Sequence, residues 1–158
     1  MNAAARRSSR PGKPLSADDV HRRLPLIRAI AGDIVRLHRD LADRRDRLAR
    51  IHKLPGGNRE VSSLYAEERE QIERDIQHDD ETLQGFIIEL ESLSGVLRDA
   101  DVGRIEFAGE LDGSNVFFGW LFGDEDLSYW RLAESDDTER HPLLQGTASR
   151  EDDADVTS

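Results

Sequence analysis

The stretch RIEFAGELDGSNVFFGWLF, residues 104–122, decides the fold of this 158-residue chain. Apolar side chains recur at every second position, as at Ile105 and Phe107, and again from Val116 onward. This period of two is typical of strands that bury one face. Asp112-Gly113 separates the two runs and favours a type I′ turn, because both residue types tolerate positive φ. The sequence therefore predicts an antiparallel β-hairpin here.

The same pattern extends outward from the hairpin. Gly123-Asp124-Glu125-Asp126 predicts a further turn, LSYWRL (127–132) predicts a third strand, and Val96-Leu97 is consistent with the start of another. We therefore expect a three-stranded antiparallel β-meander over about residues 96–132. A sheet this small is barely stable alone, so it needs a cover.

The segment before Gly95 changes to a helical period. Apolar residues at 3-4 spacing predict one long helix over about 26–52 and a second over about 61–94. Proline and paired glycines at 54–58 predict the turn between them, which makes the helices antiparallel, as in a coiled-coil hairpin. A basic stretch in the first helix would face an acidic stretch in the second. The expected class is α+β, with the meander packed on the base of this hairpin.

A short helix over 16–24 is predicted to precede the hairpin. Ser16 and Asp19 have the spacing of a capping box, and Pro25 interrupts the backbone hydrogen bonding. Residues 1–14 form a basic arm and residues 144–158 an acidic tail, both expected to be disordered. A return segment over 133–143 would complete a single domain spanning 15–143.

Composition excludes several classes of protein. The net charge of −11 disfavours nucleic acid and anionic membranes as partners. The absence of cysteine excludes disulfides, thiolate metal centres and thiol nucleophiles. No apolar run is long enough to span a membrane, and no signal peptide is recognisable, so a cytoplasmic protein is expected. No cofactor-binding or catalytic motif is present, and no cofactor is predicted.

Candidate site residues lie at the end of the predicted meander. Trp130, Arg131, Arg140 and His141 combine aromatic and cationic groups, which suit an anionic or planar ligand. The alternative is that the aromatic residues only build the core of a small sheet. On that interpretation we expect Trp130 to be mostly buried and Arg131 to be partly exposed with its stem packed on aromatic side chains, while the return segment covers one sheet face.

The remaining carboxylates and histidines that could serve as ligands are interpreted as structural residues. Glu106, Glu110 and Asp112 are assigned to a solvated strand face or turn. The hairpin register places His38 near His78 or Asp75, where a metal site is conceivable, although a polar layer that sets the helix register is favoured. No metal ligand is therefore assigned.

Parts of the sequence resemble a known family. The runs LSADDVHRRLPLIRAIAGDIVRLHRDL, GVLRDADVGRIEFAGELDG and VFFGWLFGDEDLSYW, with the closing RHPL, resemble the uncharacterised bacterial domain-of-unknown-function family 2203 over about residues 15–143. Members typically carry a His after the Tyr-Trp pair and a Gly-rich stretch before the final Pro. Here those positions hold Arg131 and residues 135–140. The resemblance supports the fold and implies no activity.

Two functional hypotheses follow. The first is a non-enzymatic protein-interaction or scaffold module with an unidentified protein partner. The second is a small-ligand or anion-binding domain, including an enzyme with a weak sequence signature, centred on the four candidate residues. Val35, Leu54 and Leu64 lie off the apolar seam, so we also expect self-association into a homodimer.

Overall fold

The computed structural model describes residues 14–53, 59–136 and 139–143, with the side chains of 59–62 outside the description. Two long helices precede a five-stranded antiparallel sheet, so the predicted α+β class is confirmed. The elements are α1 (Ala17–His52), α2 (Arg59–Ser92), β1 (Gly95–Asp99), β2 (Arg104–Leu111), β3 (Ser114–Leu121), β4 (Tyr129–Leu132) and β5 (His141–Pro142). The predicted acidic tail and the predicted basic arm, except Pro14, lie outside the described residues.

Helix α1 begins at the predicted capping box. The Asp19 amide donates to the Ser16 hydroxyl at 3.1 Å, and the Ser16 amide donates to the Asp19 carboxylate at 2.9 Å. The prediction of a separate short helix ending at Leu24 is wrong, because α1 continues through Pro25 to His52. Proline removes one backbone donor, but Leu24 and Ile27 on either side are buried in the core. Their packing outweighs the lost hydrogen bond.

The two helices form the predicted antiparallel hairpin. The guanidinium of Arg23 donates to the backbone oxygen of Leu93 at 2.9 Å, which joins the start of α1 to the end of α2. Further along, the basic and acidic stretches pair across the hairpin as expected. These ion pairs are Arg44–Asp79, Arg45–Asp80 and Arg47–Glu68. The predicted turn at 54–58 lies outside the described residues.

The sheet is wider than the predicted meander. Strands β2, β3 and β4 are the three expected strands, and β1 and β5 add one strand at each edge in the order β1-β2-β3-β4-β5. The return segment therefore pairs at an edge beside β4, and the expectation that it covers a face is wrong. Asp112 and Gly113 have φ values of 51° and 80°, which confirms the predicted I′-type turn.

The core lies between one face of the sheet and the first half of α1. Its largest fully buried side chains include Trp120, Phe107, Phe118, Leu24, Ile27, Ile34, Leu41 and Leu90. Val35 is also buried within the chain, so its expected role in a dimer contact is wrong. Leu64 is exposed, and Leu54 lies outside the described residues. Self-association therefore stays a prediction.

Polar contacts fix the helix against the loops of the sheet. His21 contacts the Asp126 carboxylate at 3.0 Å, and Arg28 donates to the backbone oxygen of Glu125 at 2.9 Å. At the other end, His38 Nε2 lies 2.9 Å from the Asp101 carboxylate in the β1–β2 loop. The expected partners of His38 on α2 are therefore wrong. The sheet spans the first half of α1, and the distal hairpin extends beyond it.

Leu90→Ala is expected to destabilise the fold by about 2–5 kcal/mol, because Leu90 is fully buried where α2 meets the sheet. Leu64→Ala on the same helix is the matched control. Leu64 is 66% exposed, so its truncation should change the free energy of unfolding by less than ~0.5 kcal/mol. Urea melts of both variants test this, and equal losses would contradict the described core.

Candidate functional site

The second face of the sheet, which points away from the helices, carries a cluster of charged and aromatic side chains. Alternation along the strands places Ile105 and Phe107 toward the helices and the residues between them on the outer face. We call this surface the arginine face. It is defined by Glu106, by the three arginines that contact this carboxylate (Arg98, Arg104 and Arg131), and by Arg140, which lies over the Tyr129 ring.

Glu106 is fully buried and accepts hydrogen bonds on both carboxylate oxygens. Arg131 binds it in a bidentate manner, with Nε 2.9 Å from Oε2 and Nη2 2.8 Å from Oε1. Arg98 Nε donates to Oε1 at 2.8 Å, and the Tyr129 hydroxyl donates to Oε2 at 2.6 Å. Arg104 Nη1 lies at a longer 3.4 Å from Oε2. A single carboxylate thus organises the side chains of four other residues, which come from β1, β2 and β4.

Gly119 makes the contact between Tyr129 and Glu106 geometrically feasible. The strand register aligns Glu106, Gly119 and Tyr129 in one row across β2, β3 and β4. Neighbouring strands lie about 4.8 Å apart, so the tyrosine ring must cross β3 to reach the carboxylate. A Cβ at position 119 would collide with that ring. Glycine here permits the close passage of an aromatic side chain over the backbone.

Aromatic rings support the guanidinium groups. The guanidinium carbons of Arg131 and Arg98 lie 4.6 Å and 5.2 Å from the centre of the Phe117 ring. Arg140 is exposed and lies 5.0 Å from the centre of the Tyr129 ring. These cation–π distances hold the arginines over the sheet and keep their charges ordered. The arginine face therefore reaches from β1 to the segment before β5.

The network keeps Glu106 ionised. Burial opposes the charged form, but hydrogen bonds from Arg131, Tyr129 and Arg98 outweigh it and lower the pKa of this carboxyl to about 2. For Tyr129, burial and then the neighbouring Glu106 raise the pKa of the hydroxyl, which keeps it protonated as a donor. A carboxylate this acidic is a weak proton acceptor. The cluster is suited to holding charge rather than to transferring protons.

The four candidate residues predicted from sequence do not form one site. Arg131 and Arg140 lie on the arginine face, whereas Trp130 and His141 lie on the opposite side of the β4–β5 pair. There the two rings stack with centroids 4.4 Å apart and planes at 25°. The structure thus divides the candidates into a cationic pair and a stacked aromatic pair.

The expectation that Arg131 is partly exposed is wrong. The Arg131 side chain is only 8% exposed, because its guanidinium is drawn to the buried Glu106. Trp130 is partly buried and packs against the core next to the edge strand β5. The assignment of Glu106 to a solvated face is also wrong, because long side chains from neighbouring strands cover it.

Sequence reasoning missed Arg98, Arg104, Glu106 and Tyr129 as members of one cluster. Two signals were available. Alternation places Arg104 and Glu106 on one face of β2, and it places Tyr129 with Arg131 on one face of β4. A glycine inside β3 indicates a close approach by another group. Together these signals point to a polar network across the strands.

We find no group of three or more His, Asp or Glu side chains that could hold a metal ion among residues 14–53, 59–136 and 139–143. The buried Glu106 is already saturated by arginine and tyrosine donors. Neither helix in the described part of the chain is long and apolar enough to cross a membrane.

Comparison with known proteins identifies one family. The sequence profile of the uncharacterised conserved proteins DUF2203 matches residues 15–143, which include all the described elements from α1 to β5. No curated protein and no solved structure matches the chain significantly.

Stability is expected to fall as pH falls from about 5 to 2. The pKa of Glu106 is about 2 in the folded chain against 4.5 in its unperturbed state, so the unfolded chain binds more protons in this range. One unit of pKa corresponds to about 1.4 kcal/mol, so the difference between the two pKa values of Glu106 contributes ~3 kcal/mol to the free energy of unfolding. This contribution is fully present above pH 5. Urea melts at several pH values measure it.

Two variants isolate the contribution of Glu106 to this pH dependence. In Glu106→Gln the stability deficit relative to wild type should be largest at neutral pH and shrink toward pH 2. Glu110→Gln, on the same strand and exposed, should retain the wild-type dependence. A pH profile shared by wild type and Glu106→Gln would contradict the assignment.

Gly119→Ala is expected to destabilise the fold by about 1–3 kcal/mol, because the added methyl group displaces the Tyr129 ring from its hydrogen bond. Gly85→Ala is the control. It lies in α2 with no atom within 4 Å of the new Cβ, so it should stabilise by up to ~1 kcal/mol. Thermal melts distinguish the two, and a neutral Gly119→Ala would refute the crossing geometry.

Proposed function

Because this chain belongs to DUF2203, a family of uncharacterised conserved proteins, we propose its function from the geometry of the arginine face. The chain is a non-enzymatic protein-interaction module, and the arginine face binds an acidic region of a partner protein. The observation that carries this proposal is the concentration of four arginines on one sheet face, three of them around a single carboxylate, in a chain whose net charge is −11.

The charge balance of the cluster supports anion recognition. The guanidinium groups of Arg98, Arg104 and Arg131 contact one carboxylate, so these four residues together carry a formal charge of +2. Glu110 lies on the same face of β2, but four residues along the strand from Glu106. A positive patch on an acidic protein directs acidic partners to one place and repels them elsewhere. Such a patch therefore gives orientation as well as affinity.

The accessible members of the face are at its two ends. The Arg98 side chain is 33% exposed on the edge strand β1, and Arg140 is exposed beside β5. Between them, Arg104 and Arg131 are largely covered and hold Glu106 in place. The buried pair thus fixes the surface, and Arg98 and Arg140 are its more exposed members.

The small-ligand hypothesis has less geometric support. A cavity of about 540 Å³ lies where β3 begins and β4 ends, lined by Ser114, Asn115 and residues 132–135. This lining contributes one carboxylate, Glu134, and none of the four arginines. An anionic small molecule would meet repulsion there. The arginine face spreads across the strands instead, which suits an extended acidic segment of a protein.

Affinity capture from cells that make the protein tests the proposal. The full chain serves as bait in three forms: wild type, Arg98→Gln with Arg140→Gln, and a control with Arg22→Gln and Arg36→Gln. The control changes the same charge at exposed positions of α1. A partner should bind wild type and control equally and lose about tenfold or more with the arginine-face variant, or ~1.4 kcal/mol.

Crosslinking then locates the contact on the partner, which should be a stretch rich in Asp and Glu. Circular dichroism confirms that the variant bait is folded. Equal recovery with all three baits would refute the assignment of this surface. Release of a small molecule from purified wild type, with no stoichiometric protein, would favour the alternative function.

A further inference from the structure

Phe122 is an exposed aromatic side chain that is held in a fixed position on α1. Its ring lies on Gly32, where a Cβ atom would come within 3.5 Å of it, and its backbone amide donates to the Gly103 oxygen at 3.0 Å. The Trp120 ring contacts it edge-on at a centroid distance of 6.2 Å. Phe122 is nevertheless 41% exposed, and Val102, next to Gly103 in the chain, is 49% exposed. An ordered aromatic ring with an exposed apolar surface is a typical contact residue of protein interfaces.

Two arginines of α1 flank this ring. Arg28 lies one helical turn before Gly32 and Arg39 lies two turns after it, so all three share one side of the helix. Both arginines are exposed, and both donate to backbone oxygens, Arg28 to that of Glu125 at 2.9 Å and Arg39 to that of Asp101 at 3.3 Å. A backbone oxygen orders a guanidinium group but does not cancel its charge. We call the surface formed by Phe122, Val102, Arg28 and Arg39 the Phe122 patch.

Ile88 is an exposed apolar side chain on the acidic part of α2. Helix α2 turns Leu90 toward the core, whereas Ile88 lies about 200° around the helix from it and is 65% exposed. Glu81 and Glu91 lie on the same side as Ile88, about two turns before it and one turn after it, and both are exposed. Residues 81–92 contain no Lys or Arg, so this side of α2 is negative. We call Ile88, Glu81 and Glu91 the Ile88 patch.

The two patches match in spacing as well as in charge. An α-helix rises about 1.5 Å per residue, so the two arginines of the Phe122 patch lie about 6 Å and 10 Å on either side of Gly32 along α1. The two glutamates of the Ile88 patch lie about 4.5 Å and 10 Å on either side of Ile88 along α2. If the two helices are antiparallel, Ile88 meets the Phe122 ring and each glutamate meets an arginine.

The two patches cannot meet within one chain. Gly32 lies nine residues after Arg23, whose guanidinium reaches α2, and Ile88 lies nine residues after Asp79, which pairs with Arg44 of α1. Nine residues correspond to about two and a half helical turns, so Gly32 and Ile88 each lie on the side of their helix that points away from the other helix. A contact between the two patches therefore joins two copies of the chain.

We propose that the Ile88 patch of one copy binds the Phe122 patch of a second copy. The contact joins two different surfaces, so a pair of copies keeps one unused patch of each kind. Such a contact repeats from head to tail and produces a closed ring or a filament. The arginine face lies on the other side of the sheet, so the assembly leaves the surface of the proposed function accessible.

Sedimentation velocity of the full chain over a dilution series tests the proposal. Wild type should form species larger than a dimer as its concentration rises. Ile88→Gln and Val102→Gln each remove the apolar contact from one patch and should raise the dissociation constant at least about tenfold. Leu64→Gln is the matched control, because Leu64 is 66% exposed on α2 but belongs to neither patch, and it should assemble like wild type. Circular dichroism checks that all three variants are folded.

A mixture of the two variants distinguishes this contact from a symmetric one. Ile88→Gln retains an intact Phe122 patch, and Val102→Gln retains an intact Ile88 patch. Their equimolar mixture should therefore form a dimer that contains one copy of each variant, and nothing larger. Isotope labelling of one variant allows native mass spectrometry to identify this mixed dimer.

Several outcomes would overturn the proposal. They are a wild type that stays monomeric or stops at a dimer, an Ile88→Gln variant that assembles like wild type, and a mixture that stays monomeric. Raising the NaCl concentration should weaken the assembly of wild type, because exposed ion pairs are screened. Assembly that responds neither to NaCl nor to the combined change Glu81→Gln and Glu91→Gln would refute the pairing of the two patches.

Discussion

The buried carboxylate of Glu106 is the constraint on which the outer side of this sheet depends. An ionised group without water is costly unless charges and hydrogen bonds replace its hydration. Here that requirement recruits Arg98 from β1, Arg104 from β2, and Tyr129 and Arg131 from β4. Because these groups come from separate strands, satisfying the carboxylate also fixes the strands relative to one another.

The inner and outer faces of the sheet are stabilised by different means. The inner face is covered by α1 and excludes water through Phe107, Phe118 and Trp120. The outer face lacks a second layer of secondary structure in the described part of the chain. Its own long side chains cover it instead, with Phe117 as the apolar support for two guanidinium groups. A layer of charged and aromatic side chains thus covers the outer face, where other sheets have a second hydrophobic core.

The helices and the three central strands were predictable from sequence because their patterns are local. The two edge strands, β1 and β5, were harder to predict from sequence. Strand β1 is only five residues long, and β5 contains Pro142, a residue that argues against a strand except at an edge. The prediction that a helix ends before Pro25 is wrong for a related reason. The local penalty of this proline is real, but the packing of distant core residues overrides it.

The candidate site was only half predictable. The sequence identifies Arg131 and Arg140 as unusual, and both belong to the arginine face. Strand alternation already places Trp130 on the face opposite Arg131, but it does not show that the Trp130 ring stacks on His141. The central role of Glu106 was missed because strand alternation assigns a side chain to a face without showing what reaches across to cover it.

One small contact has consequences for how the molecule opens. Leu15, just before α1, forms a parallel bridge with Gly109, and its carbonyl accepts the Glu110 amide at 3.0 Å. This joins residues more than ninety positions apart, so the start of α1 is held by β2 as well as by its own capping box. This link couples the proximal helix to the sheet, and we expect the two to open together and to exchange their amides slowly. The distal hairpin, which makes no such link among the described residues, is expected to exchange its amides through local opening.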